Sequence, residues 1–206
     1  MRFRTLACLT TLALAAAAHA GPVNLVVNGG FEATAVANGS WVNVASTPGW
    51  QVVAGPGSGI EIRNNAAGSA HGGSNFIELD TNGNTTIEQL FGGLVAGGAY
   101  DLSFWYSPRV GQPSSTNGLG VYWNGVALGD TITGVGGNTN LWTEYRFAVT
   151  AQAGSNSLRF AALGTSDSLG GNLDDVALTA HVPEPTTTAL LGAAFVALAW
   201  ARRRRF

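Results

Sequence analysis

Chemistry in this chain would have to come from carboxylates, aromatic rings and a few arginines. Glu61, Glu78, Asp80 and Glu88 are candidate partners for glycoside hydrolysis, which needs one carboxyl as acid and a second as base or nucleophile, but nothing in their spacing selects two of them. Of the three histidines, only His71 lies away from the ends, in Ala70-His71-Gly72-Gly73. A turn or packing role is the plainer reading of a lone histidine there than a general base. No G-x-S-x-G, H-E-x-x-H or P-loop pattern occurs. Trp105 and Tyr122 fall on the polar sides of alternating segments, where a ring can stack on a sugar while Arg109 and Asp101 supply hydrogen bonds at its rim. Loops such as 112–118 would cancel that platform by covering the rings. Asp80-Thr81-Asn82-Gly83-Asn84 opens like a calcium loop of the EF-hand type. Its sixth position is Thr85 and its twelfth Phe91, so it reads as an ordinary turn.

The elements that must carry these residues are short strands. Tyr100, Leu102, Phe104 and Tyr106 share one face of an alternating run, and Asp101, Ser103, Trp105 and Ser107 share the other. Similar runs are predicted over 25–28, 49–53, 60–63, 75–80, 85–91, 119–123, 143–150, 157–162 and 173–180. Gly, Asn, Ser and Thr cluster between them, which is turn chemistry. Asn124-Gly125 after Tyr122-Trp123 predicts a tight hairpin. About ten strands with no helical period between them indicate an all-β, two-sheet jelly-roll sandwich.

The two ends differ from this body. Arg2 and Arg4 precede an apolar run that closes on Ala18-His19-Ala20, the layout of a secretory signal peptide cleaved after Ala20. Cys8, the only cysteine, lies inside that leader, so no disulfide braces the exported part. Residues 21–182 carry four arginines, no lysine and eleven carboxylates, a net charge of about −7 with histidine neutral. So acidic a body is a poor match for nucleic acid, which requires Lys and Arg to displace counterions. Beyond it come Pro183-Glu184-Pro185, an apolar run from Ala189 to Ala201, and Arg202, Arg203, Arg204 and Arg205. Counted from Thr186, the run has 16 residues and is about 24 Å long as a helix, a little short of a hydrocarbon core about 30 Å thick, and the arginines that follow should stay cytoplasmic. Val182 and Glu184 both precede prolines and are held extended.

Pro-Glu-Pro, a short apolar helix and an arginine cluster, in that order, resemble the PEP-CTERM sorting signal of Gram-negative bacteria. The resemblance implies processing by exosortase, an integral-membrane enzyme that recognises the tripeptide, after a signal peptidase has removed residues 1–20. It divides the chain into a signal peptide (1–20), a β-sandwich (21–182) and a sorting signal with a transmembrane helix (183–206), held at the inner membrane until processing. Asn28-Gly29-Gly30-Phe31-Glu32, "HGGSNFIELD", "YDLSFWYSPR" and "GGNLDDVAL" together resemble jelly-roll ectodomains of such proteins and the galactose-binding-like fold of carbohydrate-binding modules. That second resemblance implies a structural calcium at Glu32 and Asp174, with Asp175 as the alternate ligand. The expected protein is a non-catalytic surface or extracellular-matrix component with a structural or adhesive role. Its alternative is a carbohydrate-binding module for extracellular polysaccharide, and a glycoside hydrolase has less support.

Overall fold

The computed structural model describes residues 21–182. It contains twelve strands: β1 (Ser40–Val44), β2 (Ser46–Thr47), β3 (Trp50–Ala54), β4 (Ile60–Asn64), β5 (Asn75–Glu78), β6 (Thr86–Phe91), β7 (Ala99–Ser107), β8 (Leu119–Trp123), β9 (Val126–Ala127), β10 (Thr143–Thr150), β11 (Asn156–Ala162) and β12 (Asn172–Ala180). They form two six-stranded antiparallel sheets, ordered β1-β4-β5-β12-β7-β10 (sheet A) and β2-β3-β6-β11-β8-β9 (sheet B). The expected all-β jelly roll is the observed architecture. No helix among the described residues is long and apolar enough to cross a membrane. The leader with Ala18 and Ala20, and the tail from Pro183 through Arg205, lie outside the described residues.

The alternation in β7 builds the core as expected: Tyr100, Leu102, Phe104 and Tyr106 are buried between the sheets. Phe104 meets Phe160 of β11 edge-on at 5.0 Å and stacks on Tyr145 at 5.6 Å, so one ring joins both sheets. Trp50, Ile60, Ile62, Ile77, Ile87, Leu158 and Leu178 fill the space around it. Asn124 (φ 51°) and Gly125 (φ 79°) make the predicted tight turn, both residues taking the positive φ that such a hairpin requires.

Two departures matter. The predicted strand over 25–28 does not form. That segment instead latches onto β12 through Asn24, whose amide donates to Val176 O while its Oδ1 accepts the Val26 and Leu178 N–H groups; the Leu25 N–H also donates to Leu178 O. Side-chain bonding from Asn24 takes the place of a regular ladder. Second, β1 was not among the predicted strands. It is the edge of sheet A, with only Val42 and Val44 packed against the core.

Candidate functional site

A bulge in β12 sets the first constellation. Pairing with β7 shifts register between Asp174 and Ala177, and Asp175 takes φ 46°. This turns both carboxylates toward the 71–75 segment. The His71 and Gly72 N–H groups donate to Asp174 Oδ2 at 2.8 and 3.1 Å, and the Asp175 N–H donates to Oδ1 at 2.7 Å. Glu32 Oε1 accepts the Ser74 and Asn75 N–H groups, both at 2.7 Å. The three predicted ligands do converge. A Cβ on Gly30 would lie 3.3 Å from Asp175 Oδ1, 3.8 Å from Asp174 Oδ1 and 3.9 Å from Glu32 Cγ. Burial, with Asp175 adding to it, pushes the Asp174 carboxyl up to about 7 against the pull of its N–H donors. An all-oxygen set with a carboxylate this buried suits a hard cation. However, no group of three His, Cys, Asp or Glu among the described residues is disposed to hold a metal by itself. A calcium ion here would therefore need backbone carbonyls or water in its shell.

Over β4, β5 and the adjoining ends of β12 and β7, the outward side of sheet A is covered and its polar residues are buried. Glu61, Glu78, Asn172 and Ser107 face one another across β4, β5, β12 and β7. Arg63 pairs with Glu61 and Glu78, and Arg109 donates to the same Glu78 oxygen. The Gly170 N–H donates to Glu78 Oε1 at 2.6 Å. Burial pushes Glu78 up to about 8, with Arg63 and Arg109 pulling it back. Burial also lowers Arg109, which Glu78 opposes. The arginine expected at the rim of a sugar platform is thus spent on a buried ion pair.

The platform itself is not assembled. Trp105 lies on the outward side of sheet A, stacked on His71 at 3.7 Å, and His71 Nδ1 is 2.7 Å from Asp175 Oδ2. Trp142 closes edge-on against His71 and Phe76. Asp101 sits toward the other end of β7, 2.9 Å from His181 Nδ1. Tyr122 is on β8 in the other sheet, so its ring points away from the opposite side of the sandwich. Strand alternation assigned each ring to its face correctly, but it held no information about which sheet the face belonged to.

Tyr122 instead ends a row that sequence reasoning did not find. Gln51, Glu88, Arg159 and Tyr122 are successive cross-strand partners over β3, β6, β11 and β8 on the outward side of sheet B. Arg159 Nε donates to Glu88 Oε1 at 2.7 Å. Two open depressions of about 320 and 420 Å³ flank the row. Glu88 and Leu90 of β6 line both, so the two depressions adjoin along that strand. Gln51, Asn124, Gln152 and Ser157 supply neutral donors and acceptors along them.

The fold has solved counterparts. The Stig cyclase Fisc from Fischerella sp. TAU superposes with a TM-score of 0.58 at 16% identity, over 80% of this chain and 100% of that one. A family 35 carbohydrate-binding module from Paenibacillus barcinonensis aligns with a TM-score of 0.43 at 19% identity, over 69% of this chain and 100% of that one. At these identities the likeness concerns the fold alone, which serves many functions. By sequence, the chain is 33% identical over 164 residues to the multifunctional-autoprocessing repeats-in-toxin of Vibrio cholerae serotype O1. The match covers 77% of this chain and spans only 3% of that protein's length. Immediately past β12, residues 181–205 match the PEP-CTERM protein-sorting motif. The chain therefore couples a jelly-roll β-sandwich to a segment that matches the PEP-CTERM protein-sorting motif.

Proposed function

We propose that the chain is an exported, exosortase-processed surface or matrix protein whose jelly roll has a structural or adhesive role without catalysis. The observation that carries this reading is the sorting motif at 181–205, which begins one residue after β12 ends at Ala180. The test is the fate of the full chain in an exosortase-bearing Gram-negative host. The wild type should reach the envelope or medium with its tail cut. Replacing Pro183, Glu184 and Pro185 by alanine should leave the tail uncut, whereas intact wild-type chain in the cytosol would overturn the reading.

The adjoining depressions on sheet B favour a second reading, a carbohydrate-binding module. Their polar lining and their internally neutralised Glu88–Arg159 pair suit an uncharged polysaccharide lying across the strands. Arg159→Ala should cut retention on such a polymer at least tenfold, read by affinity electrophoresis, while Trp105→Ala leaves it unchanged. The reverse pattern would return the ligand to sheet A. A calcium ion at Glu32, Asp174 and Asp175 belongs to the first reading as a brace for the 71–75 turn. Chelation should then lower the melting temperature by several degrees, and Glu32→Gln should remove the part of that response that this ion supplies.

A further inference from the structure

Two buried oxygens with nothing to bond lie together outside the regions above. Asp80 is fully buried, and its Oδ2 accepts three N–H groups from the closing segment, those of Asp167 (2.8 Å), Ser168 (2.9 Å) and Leu169 (3.4 Å). Its Oδ1 has no partner. Asn84 donates Nδ2–H to Gly164 O at 2.7 Å and its backbone N–H to Ser166 Oγ at 2.9 Å. The carbonyl at Gly164 fixes the orientation of the amide, because only Nδ2 can donate to it. Asn84 Oδ1 is then the second buried oxygen without a donor.

Asp80 and Asn84 are opposite each other in an antiparallel bridge. Such partners have Cβ atoms about 5 Å apart on one face, and both side chains here reach the same 164–169 segment. No arginine or histidine among the described residues pairs with Asp80. A buried carboxylate oxygen and an amide oxygen on cross-strand neighbours, with no donor and no ion-pair partner, have the chemistry of a cation site.

We propose that the Asp80–Asn84 turn, closed by residues 164–169, binds Ca²⁺ through Asp80 Oδ1 and Asn84 Oδ1. Water and backbone carbonyls complete the shell, in the irregular arrangement that Ca²⁺ tolerates more readily than Mg²⁺. The turn is not an EF-hand. Asn82 Oδ1, at what would be position 3 of such a loop, instead accepts bonds from the Ser58 N–H, Ser58 Oγ and Thr81 Oγ1.

The test is calorimetric titration of the purified full chain with CaCl₂, together with melting curves. At a hundredfold excess over the dissociation constant, one such site raises the melting temperature by roughly 5–10 °C. Asn84→Ala should weaken this ion at least tenfold. Asn84→Asp should tighten it, and should melt below the wild type in chelator because two carboxylates then oppose each other. Glu32→Gln should leave this ion in place, so the site is separable from the brace at Glu32. If both Asn84 variants titrate like the wild type, or if Asn84→Asp is no more calcium-dependent than the wild type, the two oxygens hold only water and the proposal is overturned.

Discussion

Arg63→Met is expected to destabilise the protein by about 3–5 kcal/mol at pH 8, the scale for removing one partner of a buried ion pair. Arg63 is buried and contacts both Glu61 and Glu78. Methionine keeps much of its volume, so the loss is electrostatic rather than a cavity. Glu78 retains Arg109, but Glu61 loses its only ion-pair partner among the described residues. The pH dependence identifies the mechanism. Burial already holds Glu78 up to about 8, above its unfolded value near 4.5. A carboxyl raised in this way contributes stability that is complete below the unfolded value and is lost as pH rises through the folded one. Without Arg63 the folded value climbs further, so the penalty should shrink at pH 5, where Glu78 is protonated in both folded proteins. Urea melts of both proteins at pH 5 and pH 8 measure this. A penalty equal at the two pH values would mean that Arg63 acts by packing alone.

Phe104→Ala should cost about 3–5 kcal/mol, because the side chain is fully buried and its removal leaves a cavity between two sheets that cannot close over it. The edge-on contact with Phe160 and the stacks on Tyr145 and Phe147 disappear together. The urea midpoint should fall with the slope m unchanged, since the surface exposed on unfolding hardly alters. A loss below 1 kcal/mol would show that Tyr145 and Phe147 collapse into the space.

These variants also mark what was legible in the sequence. The inward set of β7, including Phe104, follows from period-two alternation, and so do the bounds of β8 and β10. Arg63 and Glu78 do not. Both faces of β4 and β5 are buried, one by the opposing sheet and the other by loops. Alternation reports which side chains share a face, and says nothing about what covers it. For the same reason Trp105 could be assigned to a polar face while its partner His71, far away in sequence, could not. Glu32, Asp174 and Asp175 were singled out by a family resemblance and by no periodicity or spacing of their own; the structure brings them close because the 28–32 turn lies against the bulge of β12. The row from Gln51 to Tyr122 was out of reach, because it exists only in the pairing of four strands.

The latch of Asn24 on β12 has a mechanical consequence. β12 lies in the middle of sheet A, between β5 and β7, and the sorting signal follows it directly. A domain tethered through its tail therefore feels any load along the axis of β12. The ladder bonds run across that axis, so they are stretched in parallel by shear and resist together, rather than opening one after another like a zip. Fastened to the same strand, the N-terminal segment adds further rungs. A tether attached to an edge strand such as β1 would have peeled the sheet open from its border.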